Sequence, residues 1–169
     1  KRGKVILNAV EKIKKLPEQK DNENEINLLL IGRINAWKGQ KFFIESFSKL
    51  QGDIQQKYKV RIVGNTPDGQ EYYLTELQEA IKKANLKIEV DLCSFTNDPS
   101  EHYNWANIVI VPSIFPEPFG RVSIEGFSIG KPVIAANHGG LSEIIINNIN
   151  GWHFAPGSHD ELKTILNEI

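Results

Sequence analysis

A parallel α/β sheet, wound on both faces by helices, is the fold class this sequence predicts. Short apolar runs without polar alternation recur along it, as strands buried on both faces require. Stretches with apolar residues at helical spacing separate them. Glycine or proline closes several of the runs.

The elements follow in order. Ile26 to Ile31 is almost wholly apolar and stops at Gly32, so it is a buried strand. Phe43, Phe47 and Leu50 share a face, which predicts a helix over 38–50. A second strand runs from Tyr58 to Val63 and a helix from Glu71 to Ala84, with Leu74, Leu77 and Ile81 aligned. Ile88 to Leu92 is a third strand. Pro99 opens a short helix over Ser100 to Trp105. Ile108 to Val111 is a fourth strand, halted by Pro112, and Gly120 to Ile129 a helix closed by Gly130 and Pro132. A fifth strand, Val133 to Ala136, a short helix, Leu141 to Ile146, a sixth strand, Trp152 to Phe154, and a helix from Asp160 complete the chain. Such alternation with right-handed crossovers gives a doubly wound, Rossmann-like sheet. Ligands of such sheets lie beyond the carboxyl ends of the strands, which selects the loops after Ile31, Val63, Leu92, Val111 and Ala136.

At 169 residues the chain is one domain, with 40% hydrophobic and 24% charged residues. Twenty basic against 21 acidic residues leave a net charge of -1, with no footprint for nucleic acid. A single cysteine, Cys93, excludes an internal disulfide framework. No apolar run is long enough to span a membrane.

Residues 1–25 differ in character. Lys1, Arg2, Lys4, Lys12, Lys14, Lys15 and Lys20 stand against Glu11 and Glu18, and Pro17 to Glu25 is polar. Val5, Ile6, Ala9, Val10, Ile13 and Leu16 would suit a basic amphipathic helix on an acidic membrane. The plainer alternative is an inter-domain linker solvated by its lysines. The sequence contains no Met and ends inside a helical pattern, so the expectation is a piece of a longer protein. No signal peptide is visible, and the expected location is cytoplasmic, with peripheral membrane contact open.

Several chemistries lack their residues. There is no Gly-x-Gly-x-x-Gly, no Walker A sequence, no Asp-x-Asp and no helical His pair. Three loop clusters remain. Gly32-Arg33 and Trp37-Lys38-Gly39 stand at the first strand-to-helix turn, where a helix start and two cations suit a diphosphate. Taken alone they could equally be solvated surface cations. Pro116 to Glu125 places Glu117 in the loop after the fourth strand and Glu125 on the next helix. Two carboxylates beside a phosphate-binding helix start could hold the diols of two sugar rings. They could also be ordinary surface acids. Asn137-His138-Gly139-Gly140 permits close backbone approach, or is a plain turn.

In combination these residues resemble the C-terminal domain of GT-B glycosyltransferases of family 4, the large retaining family, from Ile26 onward. Gly32-Arg33 and Lys38-Gly39 match its first loop, Glu117 and Glu125 its Glu-x7-Glu, and Phe119-Gly120 its Phe-Gly. Gly130 to Ile134 matches Gly-x-Pro-Val-Ile, Gly139 to Glu143 matches Gly-Gly-x-x-Glu, and Ala106 to Ser113 resembles the strand before the Glu motif. Gly126 stands where the family usually has Ala, and Asn107 where it has Asp. The N-terminal stretch Val5 to Glu11 is similar to the family's exit from its N-terminal domain, which favours the linker for residues 1–25 and a nucleotide-sugar-binding domain over 26–169.

The resemblance implies a hexosyltransferase that uses a nucleotide-diphosphate sugar, needs no metal or other cofactor, and retains anomeric configuration. It implies Arg33 and Lys38 at the diphosphate, Glu117 at the transferred sugar and Glu125 at the ribose. Gly32, Phe119, Gly120, Arg121 and Val122 would line the donor, and Ser94, Phe95 and Thr96 would cover the base. A saccharide or lipid-linked acceptor would be held by a domain outside this chain, so the chain alone would be inactive. A glycogen synthase relative, an epimerase and a non-catalytic sugar-nucleotide module stay open as alternatives. A dehydrogenase is disfavoured by the missing glycine fingerprint.

Overall fold

A computed structural model describes residues 9–17 and 25–169; the reading of Val5 and Ile6 lies outside them. Six strands form one parallel sheet: β1 (Ile26–Ile31), β2 (Tyr58–Val63), β3 (Val90–Cys93), β4 (Ile108–Val111), β5 (Val133–Ala136) and β6 (Gly151–Phe154). Their order is β3-β2-β1-β4-β5-β6. The chain winds outward from β1 in one direction, then returns to β4 and winds the other way. The crevice between β1 and β4 is therefore the switch point where such sheets bind ligands.

The helices are α1 (Gln40–Phe47), α2 (Gly52–Gln55), α3 (Tyr72–Ala84), α4 (Ser100–Trp105), α5 (Arg121–Phe127), α6 (Leu141–Ile144) and α7 (His159–Glu168). Strand alternation divides the core in two. Leu28, Leu30, Val60, Ile62, Ile108, Ile110 and Ile134 face a cluster that includes Phe43, Phe47, Leu77 and Leu162 from α1, α3 and α7. Leu29, Val109, Val111, Val133 and Ala135 face a second cluster with Tyr103 of α4 and Leu141 of α6.

Several boundaries differ from the sequence reading. The first helix is shorter because Gly39, at φ 74°, is left-handed and cannot be a helical residue. The third strand starts at Val90, where pairing with Val60 begins. The short α2 carries no periodic signal in its four residues. Gly126 packs against β4: an added Cβ would lie 3.1 Å from Val109 Cγ2, so the Ala usual in the family would crowd this contact. Asn107 accepts a hydrogen bond from the Asn27 N–H at 2.7 Å through its Oδ1.

The amphipathic helix does not form over 9–17. That segment is an irregular strap across α4 and α5. The Leu16 N–H donates to Asn104 Oδ1 at 2.9 Å, and Asn104 Nδ2 donates to the Lys14 carbonyl at 2.8 Å. The Lys14 N–H donates to Ser100 Oγ at 3.3 Å and the Ile13 N–H to Ser128 Oγ at 3.4 Å. Ile13 is 6% exposed and belongs to the second cluster, while Lys12, Lys14 and Lys15 face solvent. The lysines are solvated as a linker's would be, but the apolar residue between them is part of the core.

Two predictions follow from this packing. Ile13→Ala should destabilise the fold by about 2 kcal/mol, read from urea unfolding, as a buried large-to-small change does. The Tyr58 hydroxyl donates to the Leu166 carbonyl at 2.6 Å, and burial pushes its pKa up to about 12. In the unfolded chain a tyrosine titrates near about 10. Tyr58's contribution is thus whole below about pH 10 and is lost as pH rises toward about 12. A melting-temperature profile across that window should fall less steeply for Tyr58→Phe than for the wild type.

Candidate functional site

A cavity of about 260 Å³ opens at the switch point. Its floor is the ends of β1 and β4, with Leu30, Ile31, Ile110 and Val111. Its walls are the loop from β1 to α1 and the loop from β4 to α5, through Lys38, Gln40, Ser113, Glu117 and 118–122. Six sequence-predicted residues meet here: Lys38, Glu117, Phe119, Gly120, Arg121 and Val122.

The two loops are joined at several points. Lys38 Nζ lies 2.6 Å from Glu117 Oε1. The Ile114 N–H donates to the Trp37 carbonyl at 2.8 Å. Trp37 and Phe115 meet edge-on with centroids 5.9 Å apart, both exposed beside the ion pair. Gly39 permits the approach, since a Cβ there would lie 2.0 Å from the Pro112 carbonyl oxygen.

Glu117 is only 7% exposed. A buried carboxylate needs compensation, and two donors converge on its Oε1: Lys38 Nζ and, also at 2.6 Å, the hydroxyl of Ser113. Ser113 is itself buried, and His138 Nε2 donates to its carbonyl at 2.9 Å. Among the described residues Oε2 of Glu117 makes no hydrogen bond, so one carboxylate oxygen is left for a ligand hydroxyl. In the sequence Ser113 reads as part of a strand end, and nothing there marks it as the partner of an acid four residues on.

Gly139 and Gly140 do permit close backbone approach, but what approaches is the chain itself. A Cβ on Gly139 would lie 2.4 Å from the Glu117 carbonyl oxygen, and the Gly140 N–H donates to that oxygen at 2.7 Å. At Gly120 the space expected for a ligand is partly filled from behind: a Cβ would meet Leu141 Cδ2 at 2.9 Å and Ile144 Cδ1 at 3.1 Å. Both contacts hold the Glu117 loop against α6.

The remaining predicted residues do not line the cavity. Arg33 is exposed, and its carbonyl accepts from Gln40 Nε2 at 3.0 Å. The other end of that amide, Gln40 Oε1, is buried with no hydrogen-bond partner among the described residues. Gly32 joins the sheet to this turn, its N–H donating to the Val63 carbonyl at 2.9 Å. Ser94, Phe95 and Thr96 lie beyond β3, two strands from the crevice. The Phe95 N–H donates to Asn65 Oδ1 at 3.0 Å and its ring is 64% exposed.

Glu125 stands one helical turn beyond Arg121 on α5. Its Oε1 accepts from the exposed Arg121 at 3.2 Å. Its Oε2 accepts from the buried Tyr103 hydroxyl at 2.6 Å. Burial, then the Glu125 charge, raises the Tyr103 pKa well above the usual tyrosine range, so the phenol stays a donor. Among the described residues, no group of three His, Cys, Asp or Glu side chains is placed to hold a metal, and no helix is long and apolar enough to cross a membrane.

The family described as glycosyl transferases group 1 matches residues 11–169. Lipopolysaccharide 1,2-N-acetylglucosaminetransferase of Salmonella typhimurium is 32% identical over 152 residues, covering 87% of this chain and 39% of the relative. HepE of Anabaena, solved with UDP and glucose, superposes with a TM-score of 0.78 at 31% identity, over 86% of this chain and 38% of that one. The C-terminal domain of the group 1 glycosyl transferase LpcC from Francisella tularensis gives 0.73 at 25% identity, over 85% and 74%. The chain thus spans roughly two-fifths of the length of the first two relatives. With the family pattern running from the strap to the last residue, over a six-stranded sheet of the same build, this chain belongs to the group 1 glycosyl transferases.

Proposed function

We propose that this chain is the donor-binding part of a retaining family 4 glycosyltransferase that works without a metal, and that its donor is a UDP-hexose. The observation that carries the reading is the Lys38–Glu117 pair inside the switch-point cavity. One cation and one half-engaged carboxylate, set at the start of α5, offer partners for a phosphate and for a sugar hydroxyl in the same space. The HepE complexes with UDP, glucose and UDP-glucose support uridine as the base.

In this reading the diphosphate lies over the first turn of α5, at the Arg121 and Val122 N–H groups, since those of Ser123 and Ile124 already donate to the Gly120 carbonyl. Lys38 and Arg33 balance the charge that grows on the departing diphosphate. Glu117 turns its Oε2 to hydroxyls of the transferred hexose and fixes the anomeric carbon for attack. Glu125 takes the ribose, and the Ser94–Thr96 loop lies beside the base. A saccharide or lipid-linked acceptor, held by a further domain, attacks from the face the diphosphate leaves. Its hydroxyl oxygen bonds to the anomeric carbon, the carbon–phosphate-oxygen bond breaks, and the hydroxyl proton passes to the departing oxygen. The whole protein is placed in the cytoplasm, with peripheral contact to a membrane when the acceptor is a lipid.

Calorimetric titration with UDP, GDP and ADP should show saturable binding of UDP that EDTA leaves unchanged. Lys38→Ala should weaken UDP by about tenfold or more, the scale of losing one charge-assisted hydrogen bond. Wild-type protein that binds none of the three, or binds only with added divalent metal, refutes the reading. Glu117→Gln should narrow the preference for UDP-glucose over UDP while leaving UDP itself within about threefold of wild type, because its proposed partner is the hexose. Sugar transfer by this chain alone would contradict the placing of the acceptor site elsewhere.

A further inference from the structure

Tyr103 is absent from every sequence argument above, yet it makes one of the shortest side-chain contacts near the site. Its ring is fully buried in the second core cluster, and its hydroxyl lies 2.6 Å from Glu125 Oε2. The same hydroxyl lies 3.4 Å from the Val122 carbonyl, at the cavity wall. Three bonds with the strap hold the helix that carries it, through Ser100 and Asn104. The phenol is thus fixed from both sides.

The two oxygens of Glu125 are held unequally. Oε2 is bonded at 2.6 Å to a buried donor whose other acceptor, the Val122 carbonyl, lies at 3.4 Å. Oε1 is bonded to Arg121, whose side chain is 71% exposed and which lines the cavity. An exposed contact of this kind is weak and is readily exchanged for a ligand. Glu125 does not itself line the cavity; its Oε1 faces Arg121, which does, and Tyr103 holds the opposite oxygen.

We propose that Tyr103 is a positioning residue for the donor: its hydroxyl locks the Glu125 carboxylate so that Oε1 is presented to ribose hydroxyls, which displace Arg121. The proposal rests on the reading that Glu125 takes the ribose. A carboxylate locked before binding has less rotational freedom to lose when the ligand arrives.

The test is calorimetric titration of this chain with UDP and with inorganic pyrophosphate, which has no ribose. Tyr103→Phe fills the same space and should weaken UDP by about tenfold, the scale of a hydrogen bond to a charged group. Pyrophosphate affinity should not change. In a Glu125→Ala background, Tyr103→Phe should cost nothing further. Glu125→Asp draws the carboxylate back from Tyr103 without touching the core, and should lose UDP affinity as Glu125→Ala does. The proposal is overturned if Tyr103→Phe or Glu125→Asp binds UDP as wild type does. It is equally overturned if Tyr103→Phe weakens UDP and pyrophosphate alike, or keeps its full cost when Glu125 is Ala. A Glu125→Ala variant with unchanged UDP affinity removes the ribose reading itself. Loss in Glu125→Ala with none in Tyr103→Phe removes only the role of Tyr103.

Discussion

A carboxylate held out of water constrains everything around it, and here that carboxylate is Glu117. Taking a charged acid to 7% exposure is costly unless donors meet it. The donors come from two directions. Ser113 reaches it from the end of β4, and Lys38 reaches it across the crevice from the loop after β1. Meeting both demands that two loops separated by 79 positions of sequence run side by side. The Trp37–Ile114 backbone bond and the contact of Gly39 with Pro112 provide that closeness.

The same demand explains the glycines on the far side. The Glu117 loop is pressed against the start of α6 by Gly139 and Gly140, and against Leu141 and Ile144 by Gly120. In each case a side chain would overlap protein atoms. Glycines that a sequence reader assigns to ligand approach thus serve, in part, to seat one loop upon another. The cavity is what remains when the loops on either side of the switch point are packed this way.

Much of this was legible in the chain. Buried strands are short apolar runs, and the loops at their carboxyl ends follow from the winding rule, so Lys38, Glu117 and 119–122 could be brought to one place. What stayed hidden depends on distant partners. Tyr103 looks like one more core aromatic until Glu125, 22 positions away, is seen to receive its hydroxyl. Ser113 looks like the end of a strand until the loop folds Glu117 back over it. The anchoring of the strap is hidden for a related reason: a run rich in lysine conceals one isoleucine whose burial depends on α4 and α5, not on its neighbours in sequence. Arg33 and the Ser94–Thr96 loop show the opposite case, since the winding rule and the family resemblance point to them while the folded chain leaves them outside the cavity.

The strap also sets the geometry of whatever precedes it. A chain entering the sheet at Ile26 would have the whole of residues 9–25 as slack. Pinning at Ile13 removes the thirteen residue steps from Ile13 to Ile26 from that leash, on the order of 45 Å of extended chain. The strap is therefore anchored at the flank formed by α4 and α5, beside the helix that bears Glu125, and not at the start of β1. A pull along it is borne first by its bonds to Ser100, Asn104 and Ser128.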